Sequence, residues 1–135
     1  MGDPETEVVL PRLETDLLDL FVKLHNGKLG DARVSFNSQT ATTVMAVSGG
    51  YPEAYGKGKV ITGLDEVSED SIVFHAGTKL DQGQILTNGG RVLAVTSFGK
   101  NHNEALKKSY QNIDRISFDN INYRKDLGKD LNKFL

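Results

Sequence analysis

Asp3 and Glu5 place two carboxylates on the loop ahead of the first helical stretch, with Pro4 between them. Such a pair holds an ammonium group or a metal-linked substrate, or merely complements the positive end of a helix dipole. On electrostatics alone the dipole reading is the stronger. The second arrangement with chemical capacity is Gly89-Gly90-Arg91. Paired glycines let backbone N–H groups approach a phosphate, and a guanidinium seeks anions. The same glycines after Asn88 are equally well explained by the geometry of a tight turn. Gly49-Gly50 is a second loop able to bring backbone close to a partner.

Other reactive groups are sparse. The 3 histidines, His25, His75 and His102, stand too far apart for a local metal motif. His75 follows a strand pattern and reads as a structural histidine, while His25 and His102 read as surface residues at helix ends. The absence of cysteine excludes a disulfide framework, a thiolate nucleophile and a zinc ribbon. No Ser or Lys has a recognisable nucleophile context, and no P-loop pattern is present. Lys79 falls on an expected turn, where a biotinyl or lipoyl carrier displays its modified lysine. Thr78 and Leu80 stand where a biotinyl site has methionines, so an exposed turn lysine is the better reading.

The elements that must position these residues follow from periodicity. Leu10, Leu13, Leu17, Leu20, Phe21 and Leu24 recur at three- and four-residue spacing, which predicts one amphipathic helix over Pro11–His25. Pro11 suits its first turn and Asn26-Gly27 its stop. Ala32–Phe36 and Ala41–Val47 read as strands, with shorter ones at Val60–Gly63 and Ile72–His75. Turn chemistry marks Asp81–Gly83 and Asn88-Gly89-Gly90, and the latter predicts a hairpin joining Ile85–Thr87 to Arg91–Ser97. Val92-Leu93-Ala94-Val95 is an unbroken apolar run, as in a strand covered on both faces. Asn101 with Glu104 forms a capping-box variant that opens a helix reaching about Ile116, with Leu106, Tyr110 and Ile113 on its buried side. A last short helix is expected to end at Leu135. The class is α+β, and 135 residues suffice for a core.

Bulk properties narrow the function classes. Lys plus Arg is 16 against 18 Asp plus Glu, giving a net charge of −2, which argues against a nucleic-acid-binding face. No apolar run approaches the roughly 20 residues of a membrane span. The acidic N-terminal stretch lacks the basic region of a signal peptide.

Several blocks together carry a family resemblance. Gly2-Asp3-Pro4-Glu5-Thr6 is followed by Val8-Val9-Leu10-Pro11-Arg12-Leu13 and Asp16-Leu17-Leu18. Ala46–Pro52, Lys59–Leu64, Phe74–Lys79, Thr87–Leu93, Asp114–Ile116 and Tyr123–Gly128 follow in order. The set resembles the C-terminal part of the phosphoribosylamine–glycine ligases, also called glycinamide ribonucleotide synthetases, over nearly the whole chain. The resemblance implies an ATP-grasp ligase of purine biosynthesis, working in the cytoplasm. ATP, with Mg²⁺ or Mn²⁺, phosphorylates the glycine carboxylate, and the amine of phosphoribosylamine attacks the acyl phosphate.

Carried over by position, Asp3, Pro4 and Glu5 are expected to line the glycine and phosphoribosylamine side of the cleft, with Gly89, Gly90 and Arg91 on the facing wall. No catalytic residue is expected within the chain, and the metal ligands are expected upstream of Met1. The partners implied are the N-terminal and ATP-grasp domains, with neither nucleic acid nor membrane. The implied fold is the last ATP-grasp helix in residues 1–28, then a small β-rich, barrel-sandwich-like domain (a rudiment single hybrid) with a covering helix in residues 29–135. The apolar face of the Leu-rich helix, without its ATP-grasp neighbours, is expected to be partly exposed.

On this reading the chain by itself releases no ADP when supplied with ATP, glycine and phosphoribosylamine. A coupled ADP assay on the purified chain checks this, and substrate-dependent release counts against it.

Overall fold

Val92, Leu93, Ala94 and Val95 are all completely buried in the computed structural model, which describes residues 2–131. They lie in β5 (Arg91–Gly99), a central strand of an antiparallel sheet ordered β2-β5-β1-β6, where β1 is Thr40–Ser48, β2 Ser71–His75 and β6 Ile121–Asn122. Alternation explains the unbroken run: successive side chains point to opposite faces, and here both faces are covered. Helix α3 (His102–Ile113) covers one face, and the short α1 (Thr6–Arg12) packs on the other.

The α3 side holds the main core. Val44, Ala46, Leu93 and Val95 meet Ile113, Ile116 and Phe118. Polar groups on this side are satisfied in a small network. Asn112, only 2% exposed, donates to Ser71 Oγ at 2.8 Å and accepts from Ser68 N and Oγ at 3.0 and 2.8 Å. Ser109 Oγ donates to the Thr42 carbonyl at 3.0 Å. Each of these buried polar atoms would cost about 1–3 kcal/mol unpaired, so the network also fixes α3 against the sheet. As expected, Asn101 caps α3 by accepting from Glu104 N at 3.0 Å.

The predicted Pro11–His25 helix is in fact two helices. Pro11 lies in the last turn of α1, Leu13 is extended and bridges Phe36, and α2 (Leu17–His25) starts afresh. Asp16 supplies the reason: its carboxylate accepts from Asp19 N at 3.0 Å and nucleates a new N-terminus. Glu14 N and Asn37 N donate to Ser35 O and Arg12 O, tying the break to a neighbouring segment. Ala32–Phe36 is therefore not a strand beyond the Phe36 bridge, and Val60–Gly63 contributes only bridges at Val60 and Thr62.

The predicted Asn88-Gly89-Gly90 hairpin does not form. β4 (Gln84–Thr87) pairs with β3 (Thr78–Asp81) through Gln82 and Gly83, whose φ values of 47° and 79° suit a type I′ turn. Gly89 and Gly90 have no positive φ and lie where the chain crosses from one sheet to the other. They are glycines for room: a Cβ on Gly89 would lie 3.0 Å from Gly77 Cα, and one on Gly90 2.0 Å from the Tyr51 ring.

Helix α2 buries none of its residues, and Leu18, Phe21 and Leu24 are well exposed. No helix among the described residues is long and apolar enough to cross a membrane. The expected helix ending at Leu135 falls on residues outside those described.

Leu93→Ala is expected to cost about 2–5 kcal/mol, as for a fully buried leucine, whereas Leu18→Ala changes stability by no more than about 0.5 kcal/mol. Urea unfolding of the two variants separates a chain whose core is on β5 from one relying on the Leu-rich helix.

Candidate functional site

One residue too many in β5 decides where Arg91 points. Along most of the β1–β5 ladder the partners are regular: Thr42 opposite Ser97, Val44 opposite Val95, Ala46 opposite Leu93. Past Ala46 the register slips, so Val47 faces Arg91 and Val92 is left as a bulge. Without the bulge Arg91 would stand opposite Ser48, on the α3 face. With it, Arg91 shares the face of Val47, Met45 and Thr43, on the α1 side. The bulge is held by its carbonyl: Val92 O accepts from both Ala76 N and Gly77 N, at 3.0 and 3.1 Å.

On that face lies a half-open cleft of about 540 Å³. Its floor is Thr43, Met45 and Val47, and its walls are Pro4, the Tyr51-Pro52 loop and the segment from Asn122 to Leu127. At the Pro4 end, Arg91 Nη2 is 3.4 Å from Asp3 Oδ2 and Arg91 Nη1 donates to the Asp3 carbonyl at 3.2 Å. Two of the sequence-predicted groups, 88 residues apart, thus meet beside the cleft. Both side chains are about two-fifths exposed, at 43% and 37%. An exposed pair of this kind is worth only about 0–1 kcal/mol, so a ligand can displace it at small cost.

Other expected site residues are placed differently. Pro4 lines the cleft directly. Glu5 is exposed at the start of α1, on the Gly2 side, and the ion pair at Arg91 is made by Asp3. Gly89 and Gly90 spend their carbonyls internally: Ser48 Oγ donates to Gly89 O and Ser48 N to Gly90 O, both at 2.8 Å. Lys79 lies within β3, opposite Leu86, with its ammonium 3.1 Å from Asp81, rather than at the Gln82-Gly83 turn tip that a carrier lysine requires. Among the described residues no three His, Asp or Glu side chains gather to hold a metal ion.

The residue pattern did not single out Met45, Tyr51 or the 122–127 wall; Tyr51 and residues 123–127 fall in the resembling blocks, whereas Met45 and Asn122 lie just outside them. Arg124 in this wall is no free anion receptor, because Asp126 grips its guanidinium with two bonds of 3.0 Å. That grip raises the Arg124 pKa and holds the Asp126 carboxyl below its usual value. Tyr123 donates a hydrogen bond to Asp114, and that bond, with burial, pushes the phenol from 10.0 up to about 12.

Comparison with known proteins gives the family. Residues 41–130 match the family described as phosphoribosylglycinamide synthetase, C domain. The chain belongs to that family. It is 46% identical over 132 residues to a bifunctional purine biosynthetic protein of Dictyostelium discoideum, covering 96% of the chain and 16% of that protein. It is 46% identical over 134 residues to the phosphoribosylamine–glycine ligase of Nostoc sp., covering 97% of the chain and 32% of the ligase. A crystal structure of the Thermotoga maritima phosphoribosylamine–glycine ligase superposes with a TM-score of 0.72 at 32% identity, over 93% of this chain and 31% of that one. The chain thus spans about a third or less of the relatives it matches.

Because the Tyr123 phenol is held protonated in the fold, its bond stabilises the chain fully below pH 10 and is lost as pH rises towards about 12. Absorbance titration at the phenolate band is expected to show one tyrosine ionising late, and Tyr123→Phe to remove that late step.

Proposed function

We propose that this chain is the C-terminal part of a ligase that joins phosphoribosylamine to glycine, forming glycinamide ribonucleotide in cytoplasmic purine biosynthesis. The observation that carries the site is the Asp3–Arg91 pair beside the cleft. Glycine carries an ammonium and a carboxylate, and phosphoribosylamine carries an amine and a phosphate. A carboxylate and a guanidinium at one cleft end complement both kinds of molecule. In this reading Asp3 receives the nitrogen end of a substrate and Arg91 the anionic end. Pro4, with Gly89 and Gly90, shapes the wall between them, and Glu5 lies at its outer edge.

ATP, with Mg²⁺ or Mn²⁺, supplies the activation of the glycine carboxylate in the ligase as a whole. The donor set among the described residues does not fit a metal ion, and Asp3 is engaged with Arg91. What these residues do is bind and orient: the exposed pair opens readily to a ligand, beside the apolar floor of Met45 and Val47.

The finer architecture belongs to the same proposal. Residues 1–28 finish an ATP-grasp domain, and residues 29–135 form a barrel-sandwich-like domain covered by α3. The exposed apolar face of α2 supports this, since Leu18, Phe21, Val22 and Leu24 all stand largely in solvent. The partner for that face is the ATP-grasp and N-terminal portion of the ligase.

Mixing this chain with the separately expressed N-terminal remainder is expected to restore glycinamide ribonucleotide formation that neither half gives alone. Asp3→Ala in the mixture is expected to lower the rate about tenfold, the loss of one charge-assisted contact. An active mixture indifferent to Asp3 would leave the family relation intact and remove the residue from the site.

A further inference from the structure

The two glycine pairs that stand 40 residues apart in sequence are parts of one assembly, and Tyr51 is its key. Gly50, with φ of +94°, turns the chain so tightly that a Cβ there would lie 2.1 Å from the Ala54 carbonyl. The turn delivers Tyr51, which is edge-on to Tyr55 with ring centroids 5.9 Å apart, onto the backbone of Gly90. Gly90 is buried and has no side chain because the Tyr51 ring occupies that space. Ser48, 4% exposed, closes the other side by donating from Oγ to Gly89 O and from N to Gly90 O. Its own carbonyl accepts from Tyr51 N at 3.1 Å, so Ser48 and Tyr51 act as a unit. Directly after Gly90 comes Arg91, the residue that the bulge turns toward Asp3.

We infer that Tyr51, backed by Ser48, is a positioning residue that clamps the Gly89-Gly90 crossover and so aims the Arg91 guanidinium at the anionic group of the substrate. The inference rests on the substrate reading of Arg91 given above. The clamp solves a physical problem. A β-bulge leaves a residue out of the regular ladder and loosens the backbone on either side. On the Ala76–Gly77 side the bulge is held by two hydrogen bonds to Val92 O. On the Arg91 side the preceding residues are glycines, the least restrained backbone available, and outside packing must supply the rigidity. Tyr51 supplies it by ring contact and Ser48 by hydrogen bonds. A guanidinium whose backbone anchor drifts by an ångström loses the alignment on which a charge-assisted contact depends.

The test is a double-substitution cycle in the intact ligase carrying this chain, with phosphoribosylamine varied at saturating glycine and ATP. Arg91→Ala is expected to raise KM for phosphoribosylamine about tenfold. Tyr51→Ala is expected to raise the same KM by a similar factor while kcat changes little. In the Arg91→Ala background Tyr51→Ala is expected to add almost nothing, because the group it aims is gone. Ser48→Ala provides the same cycle from the hydrogen-bonding side if Tyr51→Ala fails to fold. An Arg91→Ala enzyme with unchanged KM overturns the substrate reading and the clamp with it. An effective Arg91→Ala, with Tyr51 and Ser48 substitutions silent or fully additive, overturns the clamp alone.

Discussion

A single surplus residue in the central strand decides on which side of the sheet the charge of Arg91 falls. Val92 breaks a ladder that is otherwise regular from Gly99 to Leu93, and the break inverts the facing of Arg91. Because the side-chain period of a strand is two, one inserted residue is enough to carry a charge from the core side to the cleft side. A cation left on the α3 face would stand opposite the buried Ser48 and next to Ala46 and Leu93, where an unpaired charge is costly. The bulge thus reconciles an apolar run with an arginine at its end, and its carbonyl is satisfied by Ala76 and Gly77.

The strand tolerates this because it is held firmly elsewhere. β5 pairs with β1 on one edge and β2 on the other, while α3 packs on one face and α1 on the other. Thr96, fully buried, donates from Oγ1 to the Glu7 carbonyl at 3.0 Å, a bond that fastens α1 to the sheet. Asp3 and Pro4 immediately precede α1. The contact that secures α1 therefore also sets the position of the carboxylate facing Arg91, which links core packing to the composition of the site.

The two helices at the N-terminal end differ in kind despite their shared leucine periodicity. α1 is docked on the sheet, and α2 presents leucines and a phenylalanine to solvent. Residues 10–24 read as one amphipathic stripe, yet the stripe changes partners at the Leu13–Asp16 break. A chain spanning about a third or less of its relatives, with an apolar helical face of this size, fits a domain that packs against further protein.

By itself the sequence determined the element types that depend on local chemistry. The capped α3 helix follows from Asn101 and Glu104, the doubly covered strand from Val92–Val95, and the α+β class from the mixture of periods. The ordered motif blocks were also enough to place the chain in its family, since they match along nearly its whole length. Only the tertiary structure decided the rest. Of the two turn signals, Asp81–Gly83 and Asn88–Gly90, only the first closes a hairpin, because Gly89 and Gly90 were needed where Gly77 and Tyr51 press on the backbone. The predicted single helix lost to the Asp16 cap and the Leu13–Phe36 bridge. The meeting of Asp3 with Arg91, and of Gly90 with Tyr51, depends on strand register and on contacts between residues distant in the chain. Local propensity carries no record of either, because a bulge inside an apolar run looks like any other apolar residue until its partner strand is known.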